Sequence, residues 1–269
     1  MWRSIHPQHA IERLRVDINL SEALPPKVLT RMAAEFDSIR DDLGFSARTE
    51  TQVANIDLSA PVTPSGAVKA DVSKGWMFAR TAATPPDAPI EAYVVTGNSI
   101  VYENTEYTRW GEISQRYYKI VGGILDIVAS DYTVASVALS YYDRFYFDGP
   151  VSNARIQALI KEQLLSSFPP PTLRGGGPLF HLHRGWFEGE DQKILINQNL
   201  DLQDGVTPAG ATLRSAALLT KSEIRSDLSR EPEGVDLSNR GPIFDLLHAR
   251  NKAAFSWALS NDMREALKV

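Results

Sequence analysis

The 269-residue chain carries a net charge of −5 and is 43% hydrophobic, which is enough apolar material for a sizeable core. It contains no cysteine, which excludes disulfides, thiolate nucleophiles and cysteine-bound zinc. The acidic balance argues against sequence-independent binding of nucleic acid. No apolar run reaches the roughly 20 residues that span a bilayer, and the first six residues lack the apolar core of a signal peptide. We therefore expect a cytoplasmic protein with no membrane partner.

The N-terminal part predicts a strand, a helix and two further strands. Alternation of apolar and polar residues over 12–20 indicates a half-buried strand. Pro25-Pro26 suits the first turn of a helix, and Gly44 suits the position just past its end. Further strands are predicted at 48–58 and 76–81, with a loop over 59–74 between them.

The segment from Glu91 to Phe147 predicts a hairpin, a long helix and a long strand. A turn signal over 96–99 separates two short β-rich runs. Apolar residues then recur at helical spacing from Trp110 to Val128, and residues 133–147 alternate as a strand does.

The C-terminal part predicts one short helix, three strands and a final helix. The helix covers 151–165, the strands cover 179–188, 192–202 and 211–225, and the last helix starts at Pro242 and breaks at Ser260. Runs of strands with separate helices favour an α+β fold with antiparallel β-sheet, long helices on one face and two pseudo-repeated sheet-then-helix units. We expect a single integrated domain over 1–269. The Pro- and Gly-rich linker 166–177 leaves open the sub-units 1–165 and 178–269.

The most suggestive chemical motif is His181-x-His183 followed by Glu188. Two histidines separated by one strand residue project to the same face, and a nearby carboxylate could complete a metal site. The spacing is similar to the first metal-binding motif of cupin barrels, but Leu213 stands where the second motif needs a histidine. Glu188 also has the opposite strand parity. We therefore expect no cofactor and keep this metal site, with a small-molecule enzyme built on it, as an alternative.

The remaining polar residues predict binding rather than catalysis. No convergent reactive set is visible, so no catalytic residue is assigned, and the spacing of His248 predicts a packed, hydrogen-bonded histidine. Tyrosine and arginine are enriched at protein interfaces. The residues predicted to contact a partner on this basis are Tyr102, Tyr107, Tyr142, Arg144 and Tyr146.

Nucleic-acid binding is a second alternative. The basic residues are scattered along the sequence, so a basic face would have to be assembled by the fold. The arginines that would carry it are Arg144, Arg174, Arg184 and Arg214.

Three segments resemble a sporadically distributed family of uncharacterised bacterial proteins. They are Val101-Tyr102-x3-Glu106-Tyr107-x2-Trp110, the strand from Val137 to Phe145, and Phe244-x2-Leu-His248-x6-Phe255. The chain differs at Ser140, where the family has arginine, and at Asp143, where it has asparagine. The resemblance covers nearly the whole chain and implies an accessory protein of a mobile or defence-type gene cluster.

Composition, motifs and resemblance together predict a non-catalytic interaction protein. We expect a protein partner for an accessory, antitoxin-like or immunity-like factor, and self-association into a homo-oligomer is left open.

Overall fold

A computed structural model describes residues 1–56, 70–82, 89–166, 179–189, 194–206, 210–231, 233–238 and 240–269. The fold is α+β with a large antiparallel β-sheet, as predicted. The strands are β1 (Trp2–Ser4), β2 (Ile11–Leu20), β3 (Ala47–Ile56), β4 (Ala70–Thr81), β5 (Pro89–Val95), β6 (Ser99–Asn104), β7 (Val134–Phe147), β8 (Phe180–Glu188), β9 (Ile194–Val206) and β10 (Thr212–Arg225). The helices are α1 (Pro26–Asp37), α2 (Trp110–Asp131), α3 (Glu162–Leu165), α4 (Arg240–Ala258) and α5 (Asn261–Leu267).

The chain divides into two compact units whose segments are interleaved. Unit 1 comprises Met1–Arg15, Ala138–Arg225 and Asn239–Val269, and unit 2 comprises Val16–Val137 and Ser226–Ser238. These limits differ from those of the possible sub-units 1–165 and 178–269 that the linker left open. Residues 167–177 of that linker lie outside the described residues.

Unit 2 contains an antiparallel ladder of four strands in the order β3-β4-β5-β6. Phe78 lies opposite Tyr93 in the β4–β5 pair, and Tyr93 lies opposite Tyr102 in the β5–β6 pair. Directly opposite residues share a face of a sheet, so these three rings form a row. The row contacts Phe36 of α1 and Tyr117 of α2.

Phe36 occupies the centre of the unit 2 core. Its ring centroid lies 4.4 Å from that of Phe78, 5.0 Å from Tyr93 and 5.1 Å from Phe45. The helix repeat explains this position, because Leu29, Met32 and Phe36 are spaced three and four residues apart and are all buried. Burial of this stripe holds α1 against the strands.

Gly75 of β4 provides the first testable prediction. A Cβ at this position would lie 2.2 Å from the carbonyl oxygen of Val95, a backbone atom that has little freedom to move. Gly75→Ala is therefore expected to lower the free energy of unfolding by about 1–3 kcal/mol. Gly111→Ala in α2, where nothing lies within 4 Å of the new Cβ, should raise it slightly. Urea unfolding of the two variants measures both effects, and equal stabilities would contradict the close approach.

Unit 1 contains the remaining ladder, in the order β7-β10-β9-β8, with β1 paired to β7. The β8–β9 register runs without a shift from Phe180 opposite Leu202 to Glu188 opposite Ile194. Its core is built from residues of the strands, α4 and α5, and includes Trp2, Phe145, Leu200, Leu218 and Leu259.

Most predicted elements are confirmed, and three differ from the prediction. The first helix ends at Asp37, before the turns that lead to Gly44, the residue predicted to follow it. The segment 151–165 is not one helix but two 3₁₀ turns followed by the four-residue α3. Ile160 forms an isolated antiparallel bridge with Leu259, which interrupts the helix. The loop predicted over 59–74 ends earlier than expected, because β4 starts at Ala70, and residues 59–69 lie outside the described residues. No helix in the described ranges is both long and apolar enough to cross a membrane.

Candidate binding groove

Three of the five predicted contact residues share one face of β7 in unit 1. Tyr142, Arg144 and Tyr146 alternate along the strand and are all half-buried. The guanidinium of Arg13 lies 4.0 Å from the centroid of the Tyr142 ring, and Arg144 forms a 3.1 Å ion pair with Glu12. Polar and aromatic groups therefore line this face of the strand.

The other two predicted contact residues belong to unit 2. Tyr107 is half-buried between β6 and α2 in sequence. Tyr102 is only 1% exposed, and its hydroxyl donates a 2.7 Å hydrogen bond to Oε1 of Glu91. Tyr102 is thus an internal residue that supports a buried carboxylate.

The two histidines of the predicted metal motif do project to one face of β8. Nδ1 of His181 lies 2.6 Å from Oδ1 of Asp201, and Nδ1 of His183 is hydrogen-bonded to Oδ1 of Asn199. Glu188 has the parity of Trp186 and hydrogen-bonds its indole, so it is directed to the other face. Among the described residues, no three His, Asp or Glu side chains are placed to share a metal ion.

The arginines considered for nucleic-acid binding have separate environments. Arg144 pairs with Glu12, and Arg214 is 4% exposed and pairs with Asp204 at 2.7 Å. Arg174 lies outside the described residues. Arg184 is the one whose surroundings suggest a ligand.

Arg184 lies in a groove of about 390 Å³ between β8 and α4 in unit 1. Alternation along β8 places three of its residues on the side of α4, and helical spacing turns three residues of α4 towards them. The lining residues are Arg184, Trp186, Glu188, Ala253, Ala254 and Trp257.

The guanidinium of Arg184 lies close to the rings of two tryptophans. Its central carbon is 4.7 Å from the ring of Trp186 and 4.2 Å from that of Trp257, both within cation–π range. Nε donates a 2.9 Å hydrogen bond to Oε1 of Gln198 on the neighbouring strand β9. Gln198 in turn donates from Nε2 to the carbonyl oxygen of Ala254 at 2.9 Å. This chain of contacts fixes the direction of the arginine.

Arg184 has no carboxylate partner among the described residues. Burial lowers the pKa of Arg184 to about 10, so the group remains a cation at neutral pH. Arg80, Arg116 and Arg144 are half-buried as Arg184 is, and each of them reaches a carboxylate. The buried Arg214 does so as well. Arg184 is therefore a half-buried positive charge that no carboxylate of the described residues neutralises.

Glu188 does not neutralise Arg184, because its own carboxylate is engaged elsewhere. Oε1 accepts a 2.7 Å hydrogen bond from the indole of Trp186, and Oε2 lies 3.2 Å from Nη1 of Arg250. Lys161 adds a second cation, with its Nζ 5.3 Å from the ring of Trp257. The groove carries a local positive charge although the whole chain is acidic.

A second polar cluster lies between β7 and α4. The hydroxyl of Tyr141 is 2.7 Å from Nδ1 of His248, which agrees with the predicted packed histidine. Burial and the nearby Lys252 lower the pKa of His248. Asp143 is buried, and burial raises the pKa of its carboxyl well above the ordinary range.

Unit 2 contains a buried ion-pair network centred on Glu91. Its carboxylate accepts hydrogen bonds of 2.6–2.9 Å from Arg116 and a 3.0 Å hydrogen bond from Arg80. Arg80 also reaches Glu106 at 2.8 Å. All four charges are matched within the network, so it is best explained as a structural element that ties α2 to the strands.

The sequence indicated Arg184 as one of four candidate arginines, but it did not indicate the groove. Arg184 and Trp186 stand two residues apart on a predicted strand, which places both on one face. Trp257 lies 73 residues from Arg184 in the sequence, and no local pattern connects the two. The pairing of β8 with β9 and the docking of α4 bring them together.

Comparisons with known proteins found no relative, so the groove is interpreted from its own geometry. The chain matches no protein-family model, and no curated protein matches it significantly. What the groove offers is a desolvated cation between two indole rings beside the last strand of its ladder. This arrangement suits recognition of an anionic group.

Proposed function

We propose that the chain is a non-catalytic binding protein that recognises a protein partner through unit 1. The partner contacts the groove between β8 and α4 and the adjoining edge of the ladder. In a bacterial cytoplasm this is the activity of an accessory factor of the antitoxin-like or immunity-like kind.

The observation that carries the proposal is the half-buried Arg184 with no carboxylate partner among the described residues. Keeping a guanidinium desolvated costs free energy, and an ion pair with a ligand would recover part of it. The two tryptophans beside it belong to the residue types that dominate binding energy at interfaces. Phe187 on β8 is 66% exposed and adds an apolar contact.

We also propose the arrangement predicted from sequence. In it the units are pseudo-repeated, and their helices pack on one face of the β-sheet. In unit 1, Tyr141 and Phe145 of β7 contact α4 through His248 and Phe255. Residues of the opposite parity, such as Tyr142, would then lie on the face without helices. That face extends the surface available to a partner.

A photocrosslinking experiment tests the proposal. We expect Phe187→p-benzoylphenylalanine, expressed in the cells that encode the chain, to form an adduct with one protein on irradiation. The photoreactive group would sit on the opposite face of β8 from the groove, within reach of a partner bound along the edge of this strand. Proximity to the partner is the only requirement for capture. Mass spectrometry of the adduct identifies the partner.

The matched control is Val206→p-benzoylphenylalanine. Val206 is also exposed but lies at the other end of β9 from the residue that pairs with Phe187. The adduct should be absent at position 206 and weaker when Arg184→Gln is combined with the probe at 187. Equal adducts at the two positions, or none at 187, would refute the proposal.

A further inference from the structure

We infer that the partner segment is an extended acidic peptide, which adds as a strand to the edge of β8 that faces away from β9 and places a carboxylate on Arg184. This inference rests on the proposed function and specifies its ligand. Three independent features support it, namely the edge of β8, the geometry of the groove, and its charge.

β8 ends its ladder, and within the described residues it pairs only with β9. Natural edge strands are usually protected by lysine, proline or a bulge. The nine residues of β8 include no lysine or proline, and their register with β9 has no shift. From His181 to Glu188, β8 therefore offers backbone N–H and C=O groups that another strand can pair with.

The groove lies where alternate side chains of an added strand would project. Successive side chains of a strand point to opposite faces, so every second residue of the peptide would face α4. Arg184 and Trp186 are neighbours on that face of β8, and Trp257 closes the groove from α4. The intervening residues of the peptide would lie on the opposite face of the sheet, beside Phe187 and the two histidines of β8.

The charge of the groove selects an acidic side chain. Arg184 and Lys161 flank Trp257, while Glu188 is already paired with Arg250. The chain as a whole has a net charge of −5 and repels acidic peptides at long range. A preference for an acidic peptide would therefore be a property of this groove and not of the overall charge.

The probe is a fluorescein-labelled nonapeptide of alternating valine and glutamate, which matches the nine residues of β8. Fluorescence anisotropy measures its binding to the full chain. We expect binding that weakens at high salt, and much weaker binding of the matched valine–lysine peptide. Arg184→Gln should weaken the affinity at least about tenfold, the effect of losing a charged hydrogen bond. Arg3→Gln, which removes the same charge from an exposed side chain on β1, should change the affinity less than about twofold.

Changes in the peptide provide tests that do not depend on folding of a variant. A valine–glutamine peptide should lose affinity as Arg184→Gln does. N-methylation removes backbone donors, and only one of two peptides methylated at alternate positions should fail to bind, because one set of N–H groups faces β8.

Several results would overturn the inference. They are no binding of the glutamate peptide, equal binding of the lysine peptide, no effect of Arg184→Gln, or full binding of both methylated peptides. A dimer that Phe187→Lys dissociates, together with no peptide binding, would assign the edge to a second copy of the chain. In each case a photocrosslink at position 187 would still support a protein partner, so failure of the inference is separable from failure of the proposed function.

Discussion

Glu91→Gln is expected to lower the free energy of unfolding by about 3 kcal/mol at neutral pH. Removing one partner of a buried ion pair leaves the other charges without compensation, which typically costs 3–5 kcal/mol. The side chain of Glu91 is fully buried, whereas those of Arg80 and Arg116 are about one quarter to one third exposed. Water can reach both guanidinium groups, and this places the expected loss at the low end. Urea unfolding at pH 7 measures it.

Glu91→Gln should also change how the free energy of unfolding depends on pH in the acid range. Burial alone would raise the pKa of Glu91, but hydrogen bonds from Arg116, Tyr102 and Arg80 outweigh it and hold the pKa below 4.5. A carboxyl whose pKa is lower in the folded state contributes stability that is complete above about pH 4.5 and is lost as the pH falls through the folded pKa.

The difference in the free energy of unfolding between wild type and Glu91→Gln should therefore shrink as the pH is lowered from 7 to 3. Glu112→Gln is the control, because Glu112 is an exposed glutamate on α2 with an arginine partner of its own. It should have little effect at either pH. Equal unfolding midpoints for wild type and Glu91→Gln at pH 7 would contradict the role given to the network.

Asp143→Asn is expected to act in the opposite direction and raise stability at neutral pH. Burial raises the pKa of Asp143 well above 3.8, so the carboxyl takes up a proton on folding. Such a group contributes stability that is complete below the unfolded pKa and is lost as the pH rises through the folded pKa. Asparagine does not titrate, so the variant escapes this loss.

Asp143 should make the free energy of unfolding depend on pH with a definite slope. Between the unfolded and folded pKa values, wild type should lose up to about 1.4 kcal/mol per pH unit relative to the variant. The interval from 3.8 to pH 7 sets a ceiling of about 4 kcal/mol on the gain at pH 7. Asp148→Asn, at an exposed aspartate paired with Arg3, is the matched control and should show no such slope. Parallel pH profiles for wild type and Asp143→Asn would refute a protonated carboxyl at this position.

Sequence patterns predicted most of the secondary structure because burial on one face leaves a local period. β2, α2 and β10 each bury residues at the spacing that their sequences show. The 151–165 segment failed for the converse reason. Its apolar residues satisfy a helical pattern, but Ile160 is held by a strand-like bridge to Leu259, 99 residues away.

The groove could not be predicted because it depends on contacts between distant segments. Arg184 was recognised only as one of several scattered arginines, and the sequence does not show which arginines have carboxylate partners. Arg214 and Arg184 look alike in sequence, yet one pairs with Asp204 and the other is stacked on two indole rings. The distinction comes from strand register and helix docking, which are tertiary properties.

Gln198 connects the ligand-facing arginine to the interior of unit 1. Its amide oxygen accepts from Arg184, while its amide nitrogen donates to Ala254 of α4 and, at 3.3 Å, to Thr220 of β10. An anion that draws the guanidinium away would release only the oxygen and leave the nitrogen anchored. The side-chain NH₂ resonance of this one glutamine is thus a natural reporter of occupancy, readable by NMR without any label attached to the partner.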